Sequence, residues 1–371
     1  MRSFRGSAMR WTDPWTLTWR AAGDSASSEE AAVLAIYDER QSLHRPLTRI
    51  AGGVLQPNLE VPERIEKLRE GLALAGVSIV APAGDDTALI HGLHDGGYLD
   101  FLENGFAAWR AIPGNGPELR SSIHPNIYMN RRPDDLLGRA GFYQADAGCV
   151  LVEGTWEAAK ASALTALDAS RRVLDGEDMV YALCRPPGHH AYRDKAGGFC
   201  YLNNSALAAE QAVVAGRRVA ILDIDVHHGN GTQTMFYDRG DVLTLSVHGD
   251  PAYLYPYYAG YADEAGGGAG AGKNRNFPLP LGSDGAAYLV AVRTACEDVR
   301  RFGADFLVLA LGLDASVNDP FACMRVDDGH FNRIGQHIAK LRIPTVIVQE
   351  GGYVSPFLAA TLAAFISGIS Q

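Results

Sequence analysis

The stretch LDIDVHHGNGT, residues 222–232, continues the apolar run RVAILDID, which is typical of a buried β-strand. Two carboxylates and two adjacent imidazoles stand where this run ends, and glycines then break it. Placing Asp223, Asp225 and His227 together in the interior costs desolvation energy and sets like charges against each other. Because a bound cation would offset both costs, the stretch predicts a metal site at the end of a strand.

The spacing of these residues suggests how they would share one metal ion. Side chains two positions apart lie on the same face of a strand, so Asp223, Asp225 and His227 are expected to point the same way. Asp314 ends another apolar run, FLVLALGL, and is the candidate for the remaining protein ligand. A set of two aspartates and one histidine leaves a position for water, as catalytic zinc sites do. Any one of these aspartates alone could equally form a turn or cap a helix.

Short apolar runs alternate with helical patterns along the chain, which predicts an α/β fold with a parallel sheet. The predicted strands are AAVLAIYDE, VSIVAPA, MVYALCRPPG, RVAILDID, DVLTLSVHG, DFLVLALGLDA and PTVIVQEGGY, and the predicted helices are residues 63–75, 155–174, 205–215, 286–302 and 331–341. Ligands of such sheets bind at the carboxyl ends of the strands. Four unusual clusters follow predicted strands and therefore indicate one active site: CRPPGHHA, DIDVHHGNGT, LGLDASVNDP and EGGY.

Two of these clusters carry candidate catalytic side chains. His189 and His190, in GHHA, are suited to take a proton from a water molecule and to deliver it to a leaving amine, because histidine titrates near neutrality. The glycines of EGGY would let Tyr353 turn its hydroxyl toward a developing oxyanion. Adjacent histidines are more often a surface feature, and a tyrosine after two glycines is usually a loop aromatic. The hypothesis therefore depends on the coincidence of the clusters.

Composition limits the classes of partner and compartment. The 371 residues are 47% hydrophobic, enough for one large domain, and the formal charge of -10 disfavours binding to nucleic acid phosphates. Five widely spaced cysteines suit reduced thiols in a cytoplasmic protein. No apolar window is long enough for a membrane span, so no membrane partner is expected. Residues 1–30 are interpreted as a loosely ordered N-terminal extension, and residues 31–371 as the catalytic domain.

Taken in order, the motifs match a known pattern. The chain from about residue 32 to residue 370 resembles the histone deacetylase superfamily, most closely the bacterial acetylpolyamine amidohydrolases and histone-deacetylase-like amidohydrolases. The resemblance rests on RPPGHHA, GGFCYLNN, DIDVHHGNGTQ, SVHGDP, YPYYAGYADE, GAGAGKNRNFPLP, LGLDASVNDP and EGGY. It implies the arginase/deacetylase fold, a central eight-stranded parallel sheet flanked by helices in a single domain.

The resemblance also implies a zinc-dependent amidohydrolase that removes acetyl groups from acetylated amines, with a metal-activated water as the nucleophile. The implied zinc ligands are Asp225, His227 and Asp314, although this set also tolerates iron(II) or cobalt(II). The resemblance also places Asp223 beside His189 and Asn230 beside His190, so the two imidazoles would differ in pKa. Since a carboxylate partner raises an imidazole pKa and a neutral amide does not, His190 is expected to be the general base and acid.

Further site residues follow from the same resemblance. Phe199 and Tyr255 would form the walls of a narrow substrate channel, and Gly198 would contribute a backbone carbonyl. Two structural potassium ions are expected. Backbone carbonyls and the side chains of Asp223 and Ser246 would hold one of them, within the set Asp223, Asp225, His227, Ser246 and Val247; the second would lie near Phe236, Arg239 and Val242.

Substrate identity is where the resemblance weakens. Relatives that cleave polyamines place acidic residues at the channel mouth, whereas the corresponding positions here fall on Arg49 and Leu137. A cation at the mouth would repel a polycation, so the substrate stays open between an acetylpolyamine and an acyl-lysine. Residues 112–135 match an insertion through which such enzymes dimerise, which predicts a homodimer.

Two other functions remain as alternatives. One is a ureohydrolase of the same fold with two manganese ions, which would need D-x-H-x-D and a second acidic cluster, whereas this chain has D-x-D-x-H and then Asp314. The other is a non-catalytic sensor of acyl-amines, which would be expected to have lost one of His189, His190 and Tyr353.

Overall fold

The helices and strands follow one another in the alternating order that the sequence predicts. The structure, a computed structural model, describes residues 33–129 and 131–371. Its strands are β1 (Leu34–Ile36), β2 (Thr48–Ala51), β3 (Val54–Pro57), β4 (Ser78–Val80), β5 (Met179–Ala182), β6 (Val219–Asp223), β7 (Val242–Gly249), β8 (Asn274–Leu279), β9 (Phe306–Leu311) and β10 (Thr345–Gln349). Its α-helices are α1 (Glu63–Leu74), α2 (Ala88–Leu93), α3 (Gly96–Arg110), α4 (Leu136–Tyr143), α5 (Thr155–Leu174), α6 (Asn204–Val214), α7 (Asn230–Phe236), α8 (Gly285–Phe302), α9 (Asp328–Ala339) and α10 (Leu358–Ile369).

The central sheet has eight strands in the order β4-β1-β5-β10-β9-β6-β7-β8, and all neighbouring strands are parallel. The expectation of an eight-stranded parallel sheet is thus confirmed. Strands β5, β10, β9 and β6 occupy the middle of the sheet side by side. Because parallel strands end at the same edge, the segments that follow these four strands meet there.

Helices cover both faces of the sheet. Helices α1, α8, α9 and α10 pack with one set of strand side chains into the larger core cluster. Helices α5, α6 and α7 pack with the opposite set. A third cluster joins α3 and α4 to α5. Burial on both sides explains why the central strands read as continuous apolar runs without alternation.

The strands and α-helices that sequence inspection did not predict are β2, β3, β8, α2, α3, α4, α7 and α10. Strand β8 pairs on one side only, contains Pro278, and alternates buried and exposed residues at its start, so it lacks a continuous apolar run. Helix α10 has the sequence LAATLAAFISGI and packs against α1 and α9. Since it is apolar on most of its surface, it has no polar face to reveal helical periodicity. The hairpin of β2 and β3 was likewise not predicted.

The structure describes only one of the two predicted parts of the chain. Contacts group Ala31–Gln371 as one unit, while the prediction of a loosely ordered extension over residues 1–30 falls outside the described residues. The described part of the insertion at residues 112–135 contains a bridge between Leu119 and Leu151 but no helix or strand. Among the described helices, none is long and apolar enough to cross a membrane.

Candidate active site

The four central strands bring the predicted site residues together. His189 and His190 follow β5, Tyr353 follows β10, Asp314 follows β9, and the segment from Asp225 to Asn230 follows β6. These side chains are buried. The strand order therefore converts four distant sequence clusters into one site, as the positions of the clusters predict.

Asp225, His227 and Asp314 form the candidate metal centre. One ligand atom from each lies within 4.8 Å of the others. The Nδ1 atom of His227 is 3.1 Å from Oδ1 of Asp225 and 3.1 Å from Oδ2 of Asp314. The predicted ligands are thus close enough to share one ion.

The reason for this convergence differs from the expected one. Strand β6 ends at Asp223, so Asp225 and His227 are not held by strand alternation. Instead, the backbone N–H of Asp225 donates to Oδ1 of Asp223 at 3.0 Å, and the N–H of His227 donates to Oδ1 of Asp225 at 2.9 Å. The N–H of Val226 donates to Oδ1 of Asp314 at 3.0 Å. Each carboxylate thus orders the loop backbone that carries the next ligand.

Electrostatics at these residues favour a bound cation. Burial opposes protonation of His227, but hydrogen bonds with Asp225 and Asp314 raise its imidazole pKa to about 10. Burial and the neighbouring Asp225 raise the pKa of Asp314. A positive charge between the two carboxylates is therefore strongly favoured, whether it is a proton on His227 or a metal ion.

The local backbone also fits a metal centre. A Cβ atom at Gly351 would overlap Oδ2 of both Asp225 and Asp314, so a glycine is needed there. The N–H of Gly351 donates to Oδ2 of Asp225 at 2.7 Å. Two carboxylates and one imidazole, held by backbone donors, are a donor set that zinc accepts.

His189 and His190 have the two different partners expected for them. Nδ1 of His189 is 2.9 Å from Oδ2 of Asp223, and Nδ1 of His190 is 2.6 Å from Oδ1 of Asn230. Burial lowers the pKa of His189, but Asp223 and Asp225 outweigh it and raise the value to about 10. Burial, together with the neighbouring His189 and His227, holds the pKa of His190 well below its usual range. His189 is therefore cationic and His190 neutral near pH 7.

Tyr353 is held firmly on its loop. The Arg64 guanidinium carbon lies 4.9 Å from the centre of the Tyr353 ring, and the Phe321 ring packs against it at 4.9 Å. The N–H of Tyr353 donates to Oδ2 of Asp319 at 2.9 Å. The expectation that the glycines let this side chain turn its hydroxyl stays a prediction; Gly351 is needed for close packing, and Gly352 has a φ of 110°. Burial raises the pKa of Tyr353 well above its usual value, so its hydroxyl remains a proton donor.

Arg64 also binds the backbone of the loop that carries Tyr353. Its guanidinium donates to the carbonyls of Glu350 at 2.6 Å and Gly352 at 2.7 Å, and also to Oε1 of Glu60 at 2.8 Å. Arg64 lies on the buried side of α1. A charged residue in the apolar stripe of a helix was the sequence signal that could have identified it.

The predicted channel residues lie around the histidines. The Tyr255 ring is 4.8 Å from the His190 ring, and the Phe199 ring is 6.0 Å from the Tyr353 ring. Phe199 adopts a φ of 69°, which is uncommon for a residue with a side chain and marks a constrained site position. A Cβ atom at Gly198 would overlap the His190 ring, so this position also requires glycine.

Asp146 binds two of the predicted channel residues, Tyr255 and Gly198, and was not itself predicted. Its Oδ2 accepts hydrogen bonds from the Tyr255 hydroxyl at 2.6 Å and the Gly198 N–H at 2.9 Å. Its Oδ1 accepts from the N–H of Gly148 at 2.7 Å. No sequence motif singled out Asp146, because Tyr255 and Gly198 lie far from it along the chain.

Glu350 is a second acid that sequence inspection did not assign, although it begins EGGY, and it is fully buried. Its Oε2 accepts from the N–H groups of Gly188 at 2.6 Å and His189 at 3.0 Å, and its Oε1 accepts from Oγ of Ser205 at 2.7 Å. Burial raises its pKa to about 7, against the opposing effect of His189. Glu350 thus connects the loop of the two histidines with the loop of Tyr353.

Phe321 is a further residue beside the site that sequence inspection did not predict. Its ring lies 5.3 Å from the His227 ring, and the guanidinium carbon of Arg49 lies 5.6 Å from its centre. Arg49, which was expected at the channel mouth, therefore contacts an aromatic ring that itself contacts His227. Leu137 is exposed near the start of α4.

The residues expected at potassium sites lie in two places beside the sheet. Asp223 and Ser246 are register neighbours on β6 and β7, and the carbonyl of Val247 accepts from the Tyr288 hydroxyl at 2.9 Å. Phe236 ends α7 and Val242 begins β7, with Arg239 between them. The N–H of Arg239 donates to the Phe236 carbonyl at 3.0 Å.

Comparisons with known proteins agree with the resemblance seen in the sequence motifs. Residues 58–369 match the family model of the histone deacetylase domain. An acetylpolyamine amidohydrolase of Burkholderia pseudomallei is 45% identical over 340 residues, which are 91% of this chain and 98% of that relative. A histone deacetylase-like amidohydrolase of Pseudomonas aeruginosa is 37% identical over 274 residues, 70% of each chain. The crystal structure of acetylpolyamine aminohydrolase from Burkholderia pseudomallei has a TM-score of 0.87 and 44% identity, covering 91% of this chain and 98% of that one.

Proposed function

The chain belongs to the histone deacetylase family and is an amidohydrolase, and on that premise we propose that it removes acyl groups from small acetylated amines or acyl-lysine with one zinc ion. The observation that carries this proposal is the meeting of Asp225, His227 and Asp314 with two histidines and a tyrosine at the ends of four adjacent strands. The relative at 45% identity bears the name acetylpolyamine amidohydrolase, which names acetylated polyamines as its substrate class.

The proposed ligands of the zinc ion are Asp225, His227 and Asp314. When bound, the ion would polarise the amide carbonyl and make a water molecule more acidic. His190, neutral beside Asn230, takes the proton from the attacking water and delivers it to the departing amine. The cationic His189 and the Tyr353 hydroxyl stabilise the negative charge that develops on the carbonyl oxygen.

The geometry gives less support to the alternatives. A second metal ion would need its own acidic ligands, and the other candidate cluster in the described residues, His189, Cys200 and Glu350, contains a single carboxylate. The oxygens of Glu350 already accept three hydrogen bonds. A ureohydrolase with two manganese ions is therefore disfavoured. A sensor without catalysis is disfavoured because His190 and Tyr353 are both present and directed by specific partners.

Further parts of the proposal concern ions, assembly and compartment. Potassium would be held by the carbonyls and side chains around Asp223 and Ser246, and near Phe236, Arg239 and Val242. Homodimerisation would use the insertion at residues 112–135, where Ile127 and Tyr128 are 85% and 87% exposed. The five cysteines are unpaired, which suits a reducing cytoplasmic environment.

Metal removal tests the proposed function. Treatment with a chelator should abolish hydrolysis of a fluorogenic acetyl-lysine substrate, and added zinc should restore it, because the ion supplies the polarisation that the protein side chains lack. Elemental analysis of the purified protein should find about one zinc ion per chain. Undiminished hydrolysis after verified metal removal would rule the proposal out, and two manganese ions per chain would favour the ureohydrolase.

A further inference from the structure

The guanidinium of Arg49 is placed beside the active site and is sparingly bonded. It lies over Phe321, whose ring contacts both His227 and Tyr353. Among the described residues, Arg49 makes one side-chain hydrogen bond, from Nη2 to Oε1 of Gln56 at 3.2 Å. Its Nε is buried without an acceptor. A guanidinium has five N–H donors, and leaving a buried one unsatisfied is costly.

The neighbouring Arg120 shows what a structural arginine looks like in this region. It donates to the carbonyl of Ala147, to the carbonyl of Thr48 at 2.8 Å and to Oγ1 of Thr48 at 2.9 Å, and it pairs with Glu118 at 3.4 Å. Glu118 also accepts from the backbone N–H of Leu47 at 2.8 Å. The β2–β3 hairpin is therefore attached to the domain without help from the charge of Arg49.

Nearby acids do not neutralise Arg49. No carboxylate oxygen of the described residues lies within 4.0 Å of its nitrogens. Asp146, the acid that binds Tyr255, already accepts hydrogen bonds from Gly198 and Gly148 as well. Arg49 thus presents an uncompensated, weakly hydrated cation with a planar set of donors, and this chemistry is best matched by a carboxylate.

We propose that Arg49 recognises a carboxylate at the far end of the substrate, so that the enzyme prefers an acylated amine that ends in a carboxylate over an acetylated polycation. The inference rests on the proposed amidohydrolase function. The Phe321 ring contacts both the proposed metal ligand His227 and Arg49. Its centre lies 5.3 Å from the centre of the His227 ring and 5.6 Å from the guanidinium carbon of Arg49. These two distances bound the separation of His227 and Arg49, and an alkyl chain advances about 1.2 Å per bond, so a spacer of about five methylene groups suits a path of this order.

Three probes of equal length separate the charge of the substrate from its fit: ε-acetamidocaproate, its neutral primary amide, and monoacetylated hexanediamine. The wild-type kcat/KM should be highest for the carboxylate. Arg49→Gln should lower kcat/KM for the carboxylate by about tenfold to a hundredfold, the range expected for a lost charged hydrogen bond, mainly through KM. It should leave the neutral amide nearly unchanged and improve the ammonium probe.

Two further variants control for charge and folding. Arg45→Gln removes the same charge from an exposed position four residues away and should leave all three values unchanged. Arg49→Lys keeps the charge without the planar fork and should fall between wild type and Arg49→Gln. Retained turnover of the neutral amide shows that each variant is folded.

The outcomes separate the two levels of the proposal. If all three probes are hydrolysed but their order is the same in wild type and Arg49→Gln, Arg49 has no role in substrate choice and this inference is wrong while the amidohydrolase function stands. A preference of the wild type for the ammonium probe overturns it in the same way. If the zinc-loaded wild type hydrolyses none of the probes and no acetyl-lysine substrate, both proposals fail.

Discussion

Tyr353 illustrates, at the scale of a single residue, how the surroundings create a functional group. Arg64 and Phe321 pack on its ring, and Asp319 accepts its backbone N–H. Its position is therefore defined before any substrate arrives. Preorganisation of this kind places a hydrogen-bond donor where charge develops, without a reorganisation cost during the reaction.

Replacing Tyr353 with phenylalanine tests this role. Because the hydroxyl is proposed to act on the developing oxyanion, Tyr353→Phe should lower kcat by about a hundredfold to a thousandfold and change KM far less. Steady-state kinetics at matched zinc content would measure both. Tyr258→Phe, at an exposed position of the tyrosine-rich loop, is the control and should behave as wild type. Full turnover of Tyr353→Phe would contradict the proposed role.

At the scale of elements, the site depends on contacts between loops of neighbouring strands. Glu350, which follows β10, accepts hydrogen bonds from the backbone that follows β5 and from Ser205 in α6. Arg64 of α1 binds the carbonyls on the same loop. The loop that carries the two histidines and the loop that carries Tyr353 are thus joined by one buried network.

Glu350 should also make stability depend on pH. Burial raises its pKa from 4.5 to about 7, so the native state holds this proton more tightly than the unfolded chain does. The resulting stabilisation is present below pH 4.5 and is lost as the pH rises to about 7, with a size on the order of 3 kcal/mol. In Glu350→Gln the amide oxygen can accept from both backbone N–H groups, and the amide nitrogen can donate to Oγ of Ser205, without titrating. The variant should therefore lose less stability than wild type across this window.

Urea unfolding of the zinc-loaded proteins at a series of pH values would measure this difference. Glu297→Gln, at an exposed position of α8, is the control and should follow wild type. Parallel stability curves for wild type and Glu350→Gln would show that the carboxyl at position 350 titrates normally, and the electrostatic account of this network would then be wrong.

For the whole molecule, the proposed homodimer gives a consequence that can be measured in solution. Ile127 and Tyr128 are largely exposed on the insertion. Large side chains of this kind, exposed next to each other, often mark a surface that binds another protein. Introducing a charge at both positions, Ile127→Asp with Tyr128→Asp, should convert a dimer into a monomer because a buried carboxylate in an interface is costly. Light scattering after size exclusion would report the molar mass.

An exposed apolar residue elsewhere provides the comparison for this experiment. Val290 is 60% exposed on α8, and Val290→Asp should leave the assembly state unchanged. A monomeric wild type, or a double variant that dimerises as tightly as wild type, would disprove dimerisation through residues 112–135.

Some features of this protein were set by local sequence. Continuous apolar runs predicted seven of the eight strands of the sheet, because a strand buried on both faces needs apolar side chains at every position. Helix α5 was predicted with its observed limits, since its apolar and polar residues repeat with the helical period. The clusters at the strand ends likewise supplied the candidate ligands and the candidate catalytic residues, which lie together in the structure.

Other features were decided by tertiary structure alone. The order of strands β5, β10, β9 and β6 sets which clusters meet, and hydrogen bonds from backbone N–H groups to carboxylates, not strand alternation, orient Asp225 and His227. Asp146, Phe321 and Arg64 reach the site through contacts with partners distant along the chain. The physical reason is range: hydrophobic periodicity is written in neighbouring residues, whereas burial, charge pairing and unsatisfied donors exist only once the chain has folded.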